Sequence, residues 1–197
     1  SDKTGTLTKN QMTVKKLFFN GKIFNIEEIN TNDSNPELER LVNISMLCND
    51  SKVGSNNKIT GDPTETALID MGFQLDFTPA VFDQMPRVYE IPFDSERKLM
   101  TTVHKISDNS FVVYTKGGVD ELLEKCDKYQ ANGKMENIEN FRNDVKIANE
   151  KLAQQALRVL AMAYKEMDHM PTDSEKEELE KKLTYIGMVG MIDPPRD

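Results

Sequence analysis

The chain has 197 residues, 38% of them hydrophobic, and a formal net charge of −8: enough for one ordinary domain with a buried core. No apolar run approaches the roughly 20 residues that cross a bilayer, nothing at the start resembles a signal peptide, and an acidic chain without a basic stripe is a poor partner for nucleic acid. The two cysteines, Cys48 and Cys126, and the two histidines, His104 and His169, lack metal-ligand spacing. Both cysteines read as buried apolar residues in a reducing compartment rather than as a disulfide.

In chain order, residues 12–19 are rich in β-branched and aromatic side chains and predict a strand, with a hairpin turn at Asn20-Gly21 and a partner over 22–26. Asn35-Pro36-Glu37 is a helix start, with a cap, a proline at the first helical position and an acid in the first turn. Leu38, Leu41, Val42 and Ser45 form its inward stripe. Asp62-Pro63-Thr64-Glu65 repeats the signature, and Gly72 is the expected stop after Ala67, Leu68 and Met71. Residues 88–93, 99–104 and 111–115 predict consecutive antiparallel strands joined by short polar turns. Helices are expected over 120–126 and 138–156, the second burying Phe141, Val145, Ala148 and Leu152. A strand over 158–164, a charged surface helix over 174–183 and a last strand over 185–192 follow, before Pro194-Pro195. The expected architecture is α+β, an antiparallel sheet flanked by helices.

The first residues, Ser1-Asp2-Lys3-Thr4-Gly5-Thr6-Leu7-Thr8, resemble the phosphorylation motif of P-type ion-pumping ATPases. The resemblance implies that the Asp2 carboxylate takes the γ-phosphate of ATP as a covalent aspartyl-phosphate. It implies Asp2, Lys3 and Thr4 as catalytic residues, and Asp2 and Thr4 as magnesium ligands. Related phosphatases carry a second Asp two residues after the nucleophile, where this chain has Thr4. Without that base the acyl-phosphate should persist, since general acid-base help is worth roughly 10² to 10⁴ in rate.

Further segments resemble the nucleotide site of the same family. Leu47-Cys48-Asn49-Asp50 followed by Gly61-Asp62-Pro63-Thr64-Glu65 is similar to the segment whose Glu faces adenine; Glu65 also stands at the N3 position of a capping box with Asp62. Phe93-Asp94-Ser95-Glu96-Arg97-Lys98 resembles the segment in which Phe stacks on the purine and Lys reaches the phosphates, although a Phe at a strand end ordinarily belongs to the core. Ser95 stands where the family often has a basic residue, and Lys98 occupies the matching Lys position. Thr115-Lys116-Gly117-Gly118 is similar to the lysine-glycine floor of the adenine pocket, with the ammonium facing phosphate; a strand ending this way is otherwise an ordinary turn. The family usually continues with Ala-Pro-Glu where this chain has Gly118-Val119-Asp120. Leu157-Arg158-Val159-Leu160-Ala161 resembles the strand whose Arg pairs with polyphosphate, a role an Arg fork suits and for which a surface salt bridge is the alternative.

The resemblance covers nearly the whole chain and implies a nucleotide-binding domain over 12–191, with the phosphorylation motif and an outgoing hinge over 1–11 and a return hinge over 192–197. The expected ligands are ATP and magnesium. The expected partners are the phosphorylation, actuator and membrane domains of the same pump, which makes the chain a monomeric cytoplasmic piece of an integral membrane protein, most like the calcium-pump branch. It should bind ATP without turning it over. A soluble aspartyl-phosphate phosphatase and a nucleotide-free interaction domain are the alternatives; Thr4 counts against the first, and a nucleotide titration decides the second.

Overall fold

The computed structural model describes residues 11–193. Strands β1 (Thr13–Phe19) and β2 (Lys22–Asn25) form a hairpin that turns at Asn20-Gly21, where both residues have positive φ, 53° and 75°. Asparagine and glycine are the residues that tolerate this geometry. Helix α1 (Pro36–Leu47) starts at Asn35, whose side chain accepts the Leu38 N–H at 3.1 Å; such a cap contributes about 1 kcal/mol. Strands β3 (Lys52–Val53) and β4 (Ile59–Thr60) make a small separate sheet. Helix α2 (Pro63–Gln74) starts the same way, with Asp62 accepting the Thr64 N–H at 3.1 Å. A short helix α3 (Ala80–Gln84) leads into the antiparallel run β5 (Arg87–Asp94), β6 (Leu99–Ser107) and β7 (Ser110–Gly117). Helix α4 (Val119–Leu123), hairpin β8 (Cys126–Ala131) and β9 (Lys134–Asn137), helix α5 (Arg142–Gln154), strand β10 (Arg158–Met167), the one-turn helix α6 (Lys176–Leu179) and strand β11 (Leu183–Ile192) complete the order.

Among the described residues nine strands form the main sheet, seven of them in the order β2-β1-β11-β10-β7-β6-β5, with the β8–β9 hairpin joined through β8 to β11. Strand β11 has two neighbours on one edge: its first residues run parallel to β8, Leu183 opposite Cys126, and its last pair antiparallel with β1, Ile192 opposite Thr13. The two ends of the described chain therefore lie side by side. Central strand β10 is apolar on both faces. Met162 and Tyr164 face α1 and α2, packing with Leu41, Leu68 and Val189, while Ala161 and Ala163 face α4 and α5, packing with Leu122, Val145 and Tyr185. That alternation is the period-2 geometry of a strand covered on both sides. The α+β architecture with an antiparallel sheet is thus present, and Cys48 and Cys126 are free, buried thiols.

Several elements differ from expectation. Gly72 does not stop α2, which runs on to Gln74. A Cβ at Gly72 would lie 2.4 Å from the Met46 sulfur, so the glycine serves a close approach of α2 to α1. The helix expected over 120–126 ends at Leu123, because pairing with Leu183 draws Cys126 into the sheet. Residues 127–137, unassigned from sequence, form the β8–β9 hairpin, whose Asn132-Gly133 turn repeats the positive φ of Asn20-Gly21. The helix expected over 138–156 breaks at Phe141 (φ −125°), whose ring stacks on Tyr129 at 4.3 Å. The helix expected over 174–183 shrinks to a 3-10 turn, Asp173–Glu175, and α6, after which Glu180 turns inward and is only 6% exposed.

Candidate functional site

At the C-terminal ends of β5 and β7 and the start of β10, beside the first turn of α2, lies a cleft of about 430 Å³, within the usual range for small-molecule sites. Its walls are Phe93, Met100 and Leu160 on the apolar side and Asp50, Asp62, Thr64, Glu65, Lys116, Gly117 and Arg158 on the polar side. Five of the seven residues expected at a nucleotide site, Glu65, Phe93, Lys116, Gly117 and Arg158, meet here from four elements. Phe93 is 60% exposed, the reverse of the ordinary fate of a strand phenylalanine.

Two expected residues lie outside the lining. Lys98 sits in the β5–β6 turn with φ 62°, and its carbonyl accepts the Gly118 N–H at 3.1 Å. Gly118 caps α4. Gly117 lines the cleft for an internal reason, since a Cβ there would lie 2.1 Å from the Lys98 carbonyl oxygen. Its missing side chain allows β7 to approach the β5–β6 turn.

Lys116 departs most from expectation. Its ammonium is buried, donating to Glu65 Oε2 at 2.7 Å and to the Cys48 carbonyl, with the Met100 sulfur at 3.6 Å. It is a partner of the carboxylate rather than a free cation. Glu65 Oε2 also accepts the Asp50 N–H at 3.2 Å; the reciprocal capping box with Asp62 does not form, and Glu65, a lining residue of the cleft, has no protein partner for Oε1 among the described residues. Lys116, Met100 and Met162 occupy one register row across β7, β6 and β10, which sets the ammonium at the cleft floor. Asp50 is engaged by Arg87 at 2.8 Å, whose other nitrogen donates to the Leu47 and Asn49 carbonyls at the end of α1. Of the two cations that line the cleft Arg158 is the less committed: 3.2 Å from the Thr64 hydroxyl, 3.8 Å from Asp193 and 55% exposed at its side chain. An anion entering the cleft meets Arg158 first.

Behind the floor, the Cys48 thiol faces the Met100 and Tyr114 carbonyls at 3.3 and 3.7 Å. Burial pushes its pKa up against the opposing pull of Lys116, which keeps it an inert thiol. His104 packs nearby, its ring nitrogens 2.9 Å from the Met85 carbonyl and 2.8 Å from Thr102 Oγ1. A neutral ring with the proton on Nδ1 satisfies both contacts. Sequence reasoning missed Leu160 and Met100 as cleft wall, although Leu160 lies two residues along β10 from Arg158 and so on the same face. The expected residues Asp2, Lys3 and Thr4 lie outside the described residues. Among the described residues no three His, Cys, Asp or Glu side chains converge as metal ligands.

The geometry defines an α+β domain with an open cleft at one end of its sheet, walled in part by one uncovered aromatic and one loosely held arginine. Residues 37–197 match the family described as P-type ATPase, cytoplasmic domain N, and the chain belongs to that family. It is 41% identical over 202 residues to a calcium-transporting ATPase of Bacillus cereus, 37% over 203 residues to one of Lactococcus lactis, and 32% over 215 residues to the human calcium-transporting ATPase type 2C member 1. Each alignment covers 100% of this chain and 22% of the relative, so the chain spans about a fifth of the length of the curated relatives it matches.

Proposed function

We propose that this chain is the ATP-binding domain of a P-type cation-transporting ATPase, one that presents ATP to the Asp2 carboxylate to drive transport of a cation, calcium by analogy with the names of its relatives. The observation that carries the reading is the convergence of Glu65, Phe93, Lys116, Gly117 and Arg158, distant in sequence, on one cleft in which Phe93 stands uncovered.

Adenine stacks on Phe93 against the apolar wall of Met100 and Leu160, an arrangement worth roughly 1 to 3 kcal/mol. Glu65 Oε1 accepts an exocyclic amino proton of adenine, which guanine does not present there. Lys116 acts through Glu65 and holds the carboxylate against the floor. Arg158, and Lys98 after a rotation of its side chain, meet the phosphates. In the phosphoryl step a carboxylate oxygen of Asp2 bonds to the γ-phosphorus as the bond to the β-γ bridging oxygen breaks; ADP leaves with that electron pair and an acyl-phosphate remains. Magnesium, as a companion of the substrate phosphates, neutralises charge there. The remaining pump domains supply the rest of the catalytic surroundings, so the isolated chain binds ATP without turnover and works in the cytoplasmic part of a membrane protein.

The test is a chemical-shift titration with ATP, ADP and adenosine. Arg158→Ala should weaken ATP and ADP while leaving adenosine unchanged. Equal losses for all three ligands would contradict the phosphate role, and the absence of saturable binding would favour a nucleotide-free interaction domain.

A further inference from the structure

The turn that carries Phe93 and Lys98 is held by a buried ion pair whose second member comes from far along the chain. The β5–β6 register slips between Ile91 and Asp94, leaving Pro92 and Phe93 in a bulge, a feature that re-aims a side chain. Arg97 spans that bulge. Its guanidinium donates to the Pro92 carbonyl at 3.0 Å and the Leu99 carbonyl at 2.7 Å, one residue before Phe93 and one after Lys98. Its Nε lies 2.9 Å from Glu180 Oε1. Glu180 arrives from the segment after α6, its side chain only 8% exposed, and its other oxygen accepts the Thr101 hydroxyl proton. Thr101 in turn accepts from Thr115 at 2.8 Å, one residue before Lys116. The same polar chain thus reaches both the rim and the floor of the cleft. A second tie joins the segment to β5, where the Tyr89 hydroxyl donates to Asp173 at 2.9 Å.

A buried carboxylate opposite one guanidinium is a costly way to fill space, since apolar residues of similar volume would pack at least as stably. Its distinguishing property is placement: one Arg97 nitrogen, Nη2, donates both to the Pro92 carbonyl in the bulge and to the Leu99 carbonyl beyond the turn, and the Glu180 charge, 2.9 Å from Nε, holds the guanidinium there. We propose that Arg97 and Glu180 are positioning residues, a clasp that sets the aim of Phe93 and Lys98 and lets the segment over 173–182 govern affinity for an adenine nucleotide. The inference rests on the nucleotide reading above for the identity of the ligand.

The experiment compares wild type, Arg97→Lys, Glu180→Gln and the double variant, by titration with ATP and adenosine and by amide hydrogen exchange without nucleotide. Arg97→Lys keeps the charge but loses the guanidinium nitrogen that bonds both carbonyls, so a role through charge alone would spare it. The clasp predicts that each single variant weakens adenosine roughly three- to tenfold and ATP by at least the same factor, and that the double variant is no weaker than the worse single one. Without nucleotide, the Lys98 and Gly118 amides should exchange faster while the Tyr114 and Val103 amides keep their protection. Affinities within about twofold of wild type, multiplicative losses in the double variant, or faster exchange across the whole sheet would overturn the proposal. A wild-type chain that binds neither ligand would refute the nucleotide reading instead, and the exchange pattern alone would then decide the clasp.

Discussion

Removing the Glu65 carboxylate should destabilise the fold as well as change the ligand preference, and the two effects separate the roles of this residue. Lys116 keeps 7% of its side chain exposed and Glu65 17%, with 2.7 Å between the charged atoms. Glu65→Ala leaves the ammonium with the Cys48 carbonyl and a thioether sulfur as its remaining partners. It also removes the acceptor for the Asp50 N–H. Orphaning one member of a buried pair typically costs 3 to 5 kcal/mol, and water entering the shortened wall of the cleft offsets part of that, so a loss of about 3 kcal/mol is expected. Lys116→Met should cost less, about 1 to 2 kcal/mol, because the more exposed carboxylate keeps a backbone donor. Combining the two should recover most of the Glu65→Ala loss. Urea unfolding of the four proteins at pH 7 measures the cycle. A Glu65→Ala loss below about 0.5 kcal/mol, or additive losses in the double variant, would refute the buried pair. If Glu65 reads adenine, Glu65→Ala should also narrow the preference for ATP over GTP under conditions where it remains folded.

The histidines predict opposite pH dependences. Burial, with Arg87 nearby, lowers His104 from 6.5 to about 4, so its stability contribution is complete above 6.5 and falls as pH drops toward 4. At 1.36 kcal/mol per unit this amounts to about 2 kcal/mol lost by pH 5; urea unfolding at pH 7 and 5 should show that loss in wild type and its absence in His104→Gln. Exposed His169, 2.7 Å from both Asp168 and Glu175, has its pKa raised by those hydrogen bonds. Its smaller contribution is present below 6.5 and lost as pH rises past its folded value. Gly187→Ala should prevent folding or cost at least about 3 kcal/mol, because the new Cβ would lie 2.2 Å from the Phe18 carbonyl oxygen, a backbone atom held in the β1–β11 ladder. Gly72→Ala meets the flexible Met46 side chain instead and should cost about 1 to 3 kcal/mol by thermal unfolding.

Legibility in the sequence followed locality. The capped starts of α1 and α2 and the Asn20-Gly21 hairpin were readable because a few adjacent residues decide them. The role of Gly72, the entry of Cys126 into the sheet and the inward turn of Glu180 were not, because they involve Met46, Leu183 and Arg97 from elsewhere in the chain. The cleft residues were legible only through family resemblance: nothing local marks Phe93 as uncovered, since its aim depends on a register slip between two strands. The Lys116–Glu65 pair was illegible for the same reason, being a contact across 51 residues.

The central claim is that Phe93 is the platform for an adenine ring, and calorimetric titration of wild type and Phe93→Ala with ATP tests it most directly. One stacking ring and a few exposed cations should give wild-type binding on the order of 0.1 to 1 mM. With Phe93 60% exposed, Phe93→Ala should leave unfolding stability within about 0.5 kcal/mol of wild type while removing about 1 to 3 kcal/mol of binding. Equal ATP affinity in the two proteins, or a binding loss matched by an equal loss of stability, would contradict the account.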